Sequence, residues 1–228
     1  MVNLGVLVSG SGSNLQAIID NIEAGRVDAK IQIVISNVPD VYALERARKH
    51  GIPSLILSHK GLKREEYDQK LVETLKAHDV ELIVLAGFMR IITPVLLRAF
   101  PMRVINIHPA LLPAFPGTHV WQTQIDYGVK FAGCTVHFVD EGTDTGSIII
   151  QAVVPVYEDD TAETLNARIL KQEHKIYSQA IQMYAEGRLE VQGHRVQAKG
   201  APKAPDACMI NPPPTIFGKQ GRPEREMK

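Results

Sequence analysis

Between residues 4 and 108 the chain alternates five short runs of Val, Ile and Leu with stretches whose apolar residues recur at every third or fourth position. Few folds accommodate that alternation. A continuous apolar run is buried on both faces, and an amphipathic helix between two such runs returns the chain to begin a parallel neighbour. The runs fall at residues 4–8, 31–36, 54–57, 82–86 and 104–108. The helices fall at 14–23, 42–50 and 63–78, with a fourth from the Thr93-Pro94 cap to about residue 100. Leu15, Ile18, Ile19 and Ile22 share one face of the first; Tyr67, Leu71, Val72 and Leu75 point inward from the third. Near residue 130 the pattern changes: 131–139 and 147–157 read as strands with no helix between them, hence as antiparallel neighbours. A long helix follows from Asp160, with Glu163 in the capping-box position, to about Glu186, and residues 189–196 read as a small hairpin. The expected fold class is α/β: a Rossmann-like N-terminal half with parallel strands, continuing into a mixed sheet with a C-terminal antiparallel part and a long helix. Residues 197–228 hold six prolines and no periodic apolar pattern, and read as a flexible Pro-rich tail.

Charge and cysteine usage narrow the function classes. Formal net charge is zero, so no electrostatic footprint for nucleic acid or an anionic membrane is present. The tail is the basic part, with six Lys/Arg against three Asp/Glu. Two cysteines, Cys134 and Cys208, give neither a disulfide framework nor a CxxC pair, and no His/Cys cluster offers a metal site. No apolar run reaches membrane-spanning length and no signal peptide is apparent, so a cytoplasmic location is expected.

The first apolar run leads directly into Ser9-Gly10-Ser11-Gly12-Ser13-Asn14-Leu15. Glycines let backbone N–H groups turn toward one point, and the following helix N-terminus adds partial positive charge, which suits a phosphate monoester. A dinucleotide site fits less well. Its third glycine falls at Leu15, and the second run ends in Ser36-Asn37, not in an acidic ribose ligand. A P-loop is excluded because no Gly-Lys-Ser/Thr follows.

A second constellation is Asn106-Ile107-His108-Pro109-Ala110-Leu111-Leu112-Pro113, with Asp144 downstream in Asp-Glu-Gly-Thr-Asp-Thr-Gly. An amide donates to a developing oxyanion, an imidazole exchanges a proton, and a carboxylate sets the imidazole's charge. Two-residue spacing on a strand puts Asn106 and His108 on one face. With no Ser or Cys between them, direct acyl-type transfer is favoured over a covalent enzyme intermediate. Gly142 and Gly146 flank Asp144 and free its backbone to approach a ligand. His137 has the strand phase to face the same cleft or to be a buried, hydrogen-bonded histidine. His119 shapes the loop, and His174 reads as surface. Arg64, opening a helix where the dipole disfavours a cation, hints at an anionic ligand.

Five ordered motifs then carry a resemblance: Ser9 to Ile18, Leu85-Ala86-Gly87-Phe88-Met89-Arg90-Ile91, Asn106-Ile107-His108-Pro109 with Leu111-Leu112-Pro113, Gly133 to Val139, and Gln172-Glu173-His174. In one register over about residues 3–196 the chain resembles the phosphoribosylglycinamide formyltransferases. The resemblance implies transfer of a formyl group from 10-formyltetrahydrofolate to the glycinamide amine of a ribonucleotide in de novo purine synthesis. It implies Asn106, His108 and Asp144 as the catalytic trio and Gly12, Ser13 and Asn14 as the phosphate loop. It puts Glu173 at the glycinamide end, with Gly87, Ile107 and Pro109 beside it. It assigns the folate to Met89, Arg90, Ile91, Ile92 and the 140–144 loop with Asp140, Arg64 being nearby. Residues 1–100 then form a phosphate-binding half and 101–196 a catalytic and folate half of one domain. Folate is a co-substrate, with no permanently bound cofactor and no metal. The expected partners are small molecules, without nucleic acid or membrane, and the chain is expected as a monomer or homodimer. Three positions depart from the family pattern: Ala110 replaces a serine and puts one loop hydrogen bond in doubt, Ser147 stands where proline is usual, and Trp121 is an unexpected aromatic. Formyltetrahydrofolate deformylase shares the trio but carries an extra N-terminal domain, whereas this chain starts at its first strand. Methionyl-tRNA formyltransferase needs a basic C-terminal domain. A non-catalytic nucleotide-binding module is the alternative of a different class.

Overall fold

The computed structural model describes residues 1–201, Met209 and Asn211; the rest of the expected tail lies outside the described residues. In chain order the elements are β1 (Val2–Val8), α1 (Ser13–Glu23), β2 (Ala29–Ser36), α2 (Tyr42–Lys49), β3 (Ser54–Ile56), α3 (Arg64–Ala77), β4 (Leu82–Leu85), α4 (Pro94–Ala99), β5 (Val104–His108), α5 (Val120–Tyr127), β6 (Phe131–Phe138), β7 (Ile148–Pro155), α6 (Ala162–Ala185), β8 (Leu189–Gln192) and β9 (Arg195–Ala198). The strands join one sheet in the order β3-β2-β1-β4-β5-β6-β7-β9-β8. The first five run parallel, as expected of near-continuous apolar runs. β6 then pairs antiparallel with β5, and β7 antiparallel with β6, so the sheet is mixed.

Alternation along β1 divides the core. Leu4, Val6 and Val8 pack with Leu15 and Ile18 of α1 and Ile169, Tyr177 and Ile181 of α6 on one face. Leu7 packs on the other with Tyr67, Leu71 and Leu75 of α3 and Leu96 of α4. From β1 the chain winds outward through β2 and β3, then crosses back to β4 on the other side. That reversal leaves a crevice at the C-terminal ends of β1 and β4, where ligands of open α/β sheets bind. Tyr177 spans the adjacent strand ends from α6. Its buried hydroxyl donates to the carbonyls of Leu85 (2.9 Å) and Ile105 (3.1 Å), holding β4 and β5 at fixed spacing beneath the crevice.

Three local expectations differ from the structure. Thr93 is the N-cap of α4 without a side-chain cap bond; its hydroxyl donates instead to buried Asp68 at 2.8 Å, tying α4 to α3. Helix α6 begins one residue past Thr161, whose side chain caps Thr164, so the reciprocal pair is Thr161–Thr164 and not one built on Glu163. Asp160 instead takes a two-pronged bond from Arg168 at 2.7 Å. Residues 120–127, to which the sequence reading assigns no element, form α5 between left-handed caps at His119 and Gly128. Among the described residues no helix is long and apolar enough to cross a membrane.

Candidate active site

Val8 leads into a loop that reverses at Gly12, the N-cap of α1, with φ 72°. Glycine is required there twice over. A left-handed φ penalises any Cβ, and a Cβ would stand 2.6 Å from Ala43 Cβ and 2.8 Å from its Cα, inside α2. Gln16 N–H is bonded to the Gly12 carbonyl at 2.9 Å, so the N–H groups of the first turn, from Ser13 to Leu15, are left to the loop. Arg46 buttresses this turn, donating through Nε to the Ser11 carbonyl (2.9 Å) and through Nη1 to Gln16 Oε1 (3.0 Å). Gly12→Ala is therefore expected to cost about 2–4 kcal/mol of stability, left-handed strain plus overpacking. In the phosphate-holding role proposed for this turn, it should also weaken phosphate-monoester binding about tenfold or more. Calorimetric titration and a thermal melt check both, and an unchanged Tm would show that the turn relaxes freely.

Glu173 reaches the same loop from α6. It interrupts the buried stripe of Leu165, Ile169, Ile176 and Ala180, a costly place for a carboxylate. Its partner there is Asn14, whose Nδ2 donates to Glu173 Oε2 at 2.8 Å. Burial pushes the Glu173 carboxyl above its ordinary range, and the Asn14 bond opposes that. Asn14 Oδ1 is buried and has no partner among the described residues.

The second group gathers on β5 and β6. Asn106 and His108 sit opposite His137 and Thr135 in the antiparallel register, so all four project from one face. His108 is buried, with Nε2 2.7 Å from the Phe115 carbonyl and Nδ1 3.4 Å from Asp144 Oδ2. A carbonyl and a carboxylate are both acceptors, so the surroundings of the ring suit N–H groups on both nitrogens. His137 is the buried, hydrogen-bonded histidine and also belongs to the cleft. Its Nδ1 lies 2.8 Å from the Phe138 carbonyl and must carry a hydrogen. Its Nε2 stands 3.2 Å from Asn106 Nδ2 and 3.6 Å from Asp144 Oδ1. The neutral ring accepts from Asn106 and orients its amide; the protonated ring donates to Asp144. For Asp144, burial opposes the charge. Hydrogen bonds from His137 and the Gly117 N–H (2.8 Å), with positive charge at His108 and His137, outweigh it and hold the carboxyl below its usual range.

Asp144 adopts a left-handed backbone, φ 55°, which aspartate tolerates better than most residues. Its flanking glycines are required by local packing. A Cβ on Gly146 would run into the Phe138 carbonyl, and one on Gly142 into the Thr145 side chain.

A cavity of about 610 Å³ opens over this face, within the range of small-molecule sites. Its lining brings together Asn106, His108 and Asp144 with Gly87, Ile107, Pro109, Met89, Arg90, Ile91, Ile92 and Asp140. Met89 and Ile91 are exposed at the rim, whereas Ile92 is buried. Gly12, Ser13, Asn14 and Glu173 form the neighbouring group outside that lining. Ser9 connects the two, accepting from Met89 N–H at 2.9 Å while its own N–H donates to the Gly87 carbonyl at 3.1 Å. Arg64 does not line the cavity. His119 and Trp121 do; the Trp121 indole N–H is buried without a partner among the described residues. His174, expected at the surface, is half-buried, its Nε2 has no partner among the described residues, and burial lowers its pKa. Ser147 donates to the Gly193 carbonyl at 3.2 Å, tying β7 to the terminal hairpin. Ala110 is fully buried, and the loop is tied there through its carbonyl, which accepts from Thr135 Oγ1 at 2.7 Å.

Sequence reasoning passes over Phe115 and Gly117, which contact the trio through backbone atoms that no side-chain pattern announces. Thr135 was detectable in principle, because it shares its strand phase with His137.

Known proteins bear on this geometry. Residues 2–181 match the family described as "Formyl transferase". The chain is 50% identical over 185 residues, 80% of its length, to the trifunctional purine biosynthetic protein adenosine-3 of Drosophila melanogaster, but spans only 14% of that relative. It is 41% identical over 207 residues to the phosphoribosylglycinamide formyltransferase of Haemophilus influenzae, covering 90% of this chain and 98% of that one. The crystal structure of glycinamide ribonucleotide transformylase 1 from Symbiobacterium toebii superposes with a TM-score of 0.86 at 50% identity, over 87% of this chain and 94% of that one. The chain belongs to the formyl transferase family, with the phosphoribosylglycinamide formyltransferases.

Proposed function

We propose that the chain transfers the formyl group of 10-formyltetrahydrofolate to the amine of 5'-phosphoribosylglycinamide, a step of de novo purine (IMP) biosynthesis. The observation that carries this reading is the meeting of Asn106, His108 and Asp144 on the wall of a cavity that adjoins a glycine turn suited to phosphate. In this reading the ribonucleotide phosphate takes the N–H groups after Gly12, and Glu173 lies at the glycinamide end. The folate occupies the cavity along Met89–Ile92 and Asp140. Holding both substrates there removes much of the entropic barrier.

The amine nitrogen attacks the formyl carbon and a C–N bond forms. The carbonyl oxygen becomes an oxyanion that accepts from Asn106 Nδ2 and from His108. The nitrogen's proton passes to N10 of the folate, the C–N10 bond breaks, and tetrahydrofolate leaves with the electron pair. Phe115 has a part in this. Its carbonyl holds His108 Nε2 in the resting arrangement, and its own backbone is left-handed at φ 53°.

Purified protein given both substrates should release tetrahydrofolate and formylated ribonucleotide in equal amounts. Formate release without formylated ribonucleotide would make the chain a hydrolase. Binding of the ribonucleotide with no turnover would make it a binding module.

A further inference from the structure

We propose that Thr135 and Gln151 act together as positioning residues, clamping the root of the 109–117 loop so that its far end presents Phe115 and Gly117 to the trio. This rests on the formyl-transfer reading above. The loop has no strand or helix hydrogen bonds of its own beyond one turn, Ala114 N–H to the Leu111 carbonyl at 3.0 Å. Neighbouring side chains take their place. Thr135, fully buried, donates through Oγ1 to the Ala110 carbonyl at 2.7 Å and accepts from Leu112 N–H at 3.1 Å. Gln151 Nε2 completes the unit, donating to Thr135 Oγ1 and to the Leu112 carbonyl, both at 2.9 Å. The threonine hydroxyl thus uses its one donor and both acceptor positions.

Thr135 and Gln151 are paired across β6 and β7, and Thr135 faces His108 across β6 and β5. The clamp and the imidazole are therefore built on the same three strands and share one frame. Downstream of the clamp, the loop supplies a carbonyl to His108 Nε2 and an N–H to Asp144 Oδ2. Motion at the root is transmitted to both contacts, and misplacing a catalytic group by a fraction of an ångström lowers the chemical rate more than substrate affinity. Because every bond from the clamp to the loop lands on the main chain of Ala110 or Leu112, the clamp asks nothing of the side chain at 110. That is how an alanine is accommodated there.

The test measures kcat and KM for both substrates, with Tm, in the parent, Gln151→Ala, Thr135→Val and Thr135→Ser. Gln151 is exposed, so its substitution leaves the fold intact. Gln151→Ala should lower kcat about three- to tenfold and Thr135→Val about tenfold or more, with each KM within about threefold of the parent. Thr135→Ser should restore kcat to within about threefold, since the hydroxyl is kept. A folded Gln151→Ala with parental kcat overturns the clamp, as does a lowered Tm with unchanged kcat in Thr135→Val. If Thr135→Val does not fold, Gln151→Ala decides alone. A parent that forms no formylated ribonucleotide refutes the formyl-transfer reading, whereas an active parent with equally active variants refutes only the clamp.

Discussion

His108→Ala is expected to lower kcat by about two to four orders of magnitude while leaving KM for both substrates within a few-fold. The imidazole is 4% exposed on β5, and its neighbours, Phe115 and Asp144, supply no polar replacement that can donate to a developing oxyanion. A small apolar residue there keeps the strand, since the position is already in the core and the substitution only removes ring atoms. The phosphate turn and the rim at Met89–Ile92 are built elsewhere and should still hold the substrates. Single-turnover kinetics with saturating ribonucleotide measure the chemical step directly. Near-parental turnover would remove His108 from the chemistry and transfer its role to His137.

Asp144→Asn carries the second large effect, a loss of about two orders of magnitude or more in kcat. Asparagine tolerates the left-handed φ of 55° and can still accept from Gly117 N–H, so geometry is kept and only charge is lost. The loss tests whether the negative charge beside His108, and not the hydrogen bond alone, is what the reaction uses. Linkage gives an independent signature. The folded-state carboxyl lies below its usual range, so its contribution to stability is present above the unfolded value near 4 and is lost as pH falls through the folded value. The Tm of the parent should exceed that of Asp144→Asn at pH 7, and the difference should close as pH is lowered below about 4. A gap that does not shrink at all as pH falls from 7 to well below the ordinary carboxylate range would mean that packing, not charge, sets the difference.

The sequence announced what depends on periodicity and local sterics. The β5 strand was legible to the residue because its apolar run is fenced by Arg103 and Pro109. The glycine turn was legible because only glycine meets its φ and its contact with Ala43. What escaped depends on tertiary partners. Helix α5 is short, and its N-cap is a histidine without a side-chain cap bond, in place of the Ser, Thr, Asp or Asn that announces a helix start. Thr93 reads as a cap, but Asp68 competes for its hydroxyl from 25 residues away. The glycines around Asp144 suggested ligand access, whereas the Thr145 side chain and the Phe138 carbonyl at the end of β6 occupy the space a Cβ would take. Arg64, pointed to an anionic ligand by its helix start and to the folate by the resemblance, does not line the cavity.

The bond between Asn14 and Glu173 joins residues 159 positions apart. During synthesis, the glycine turn and the helix behind it leave the ribosome before their carboxylate partner, which emerges only with α6. Until α6 docks, the nascent chain has half of a nucleotide pocket and an Asn14 side chain open to water. The pocket we propose is thus completed only once α6 has been made, and a chain truncated before residue 173 would lack it however well its first five strands had paired.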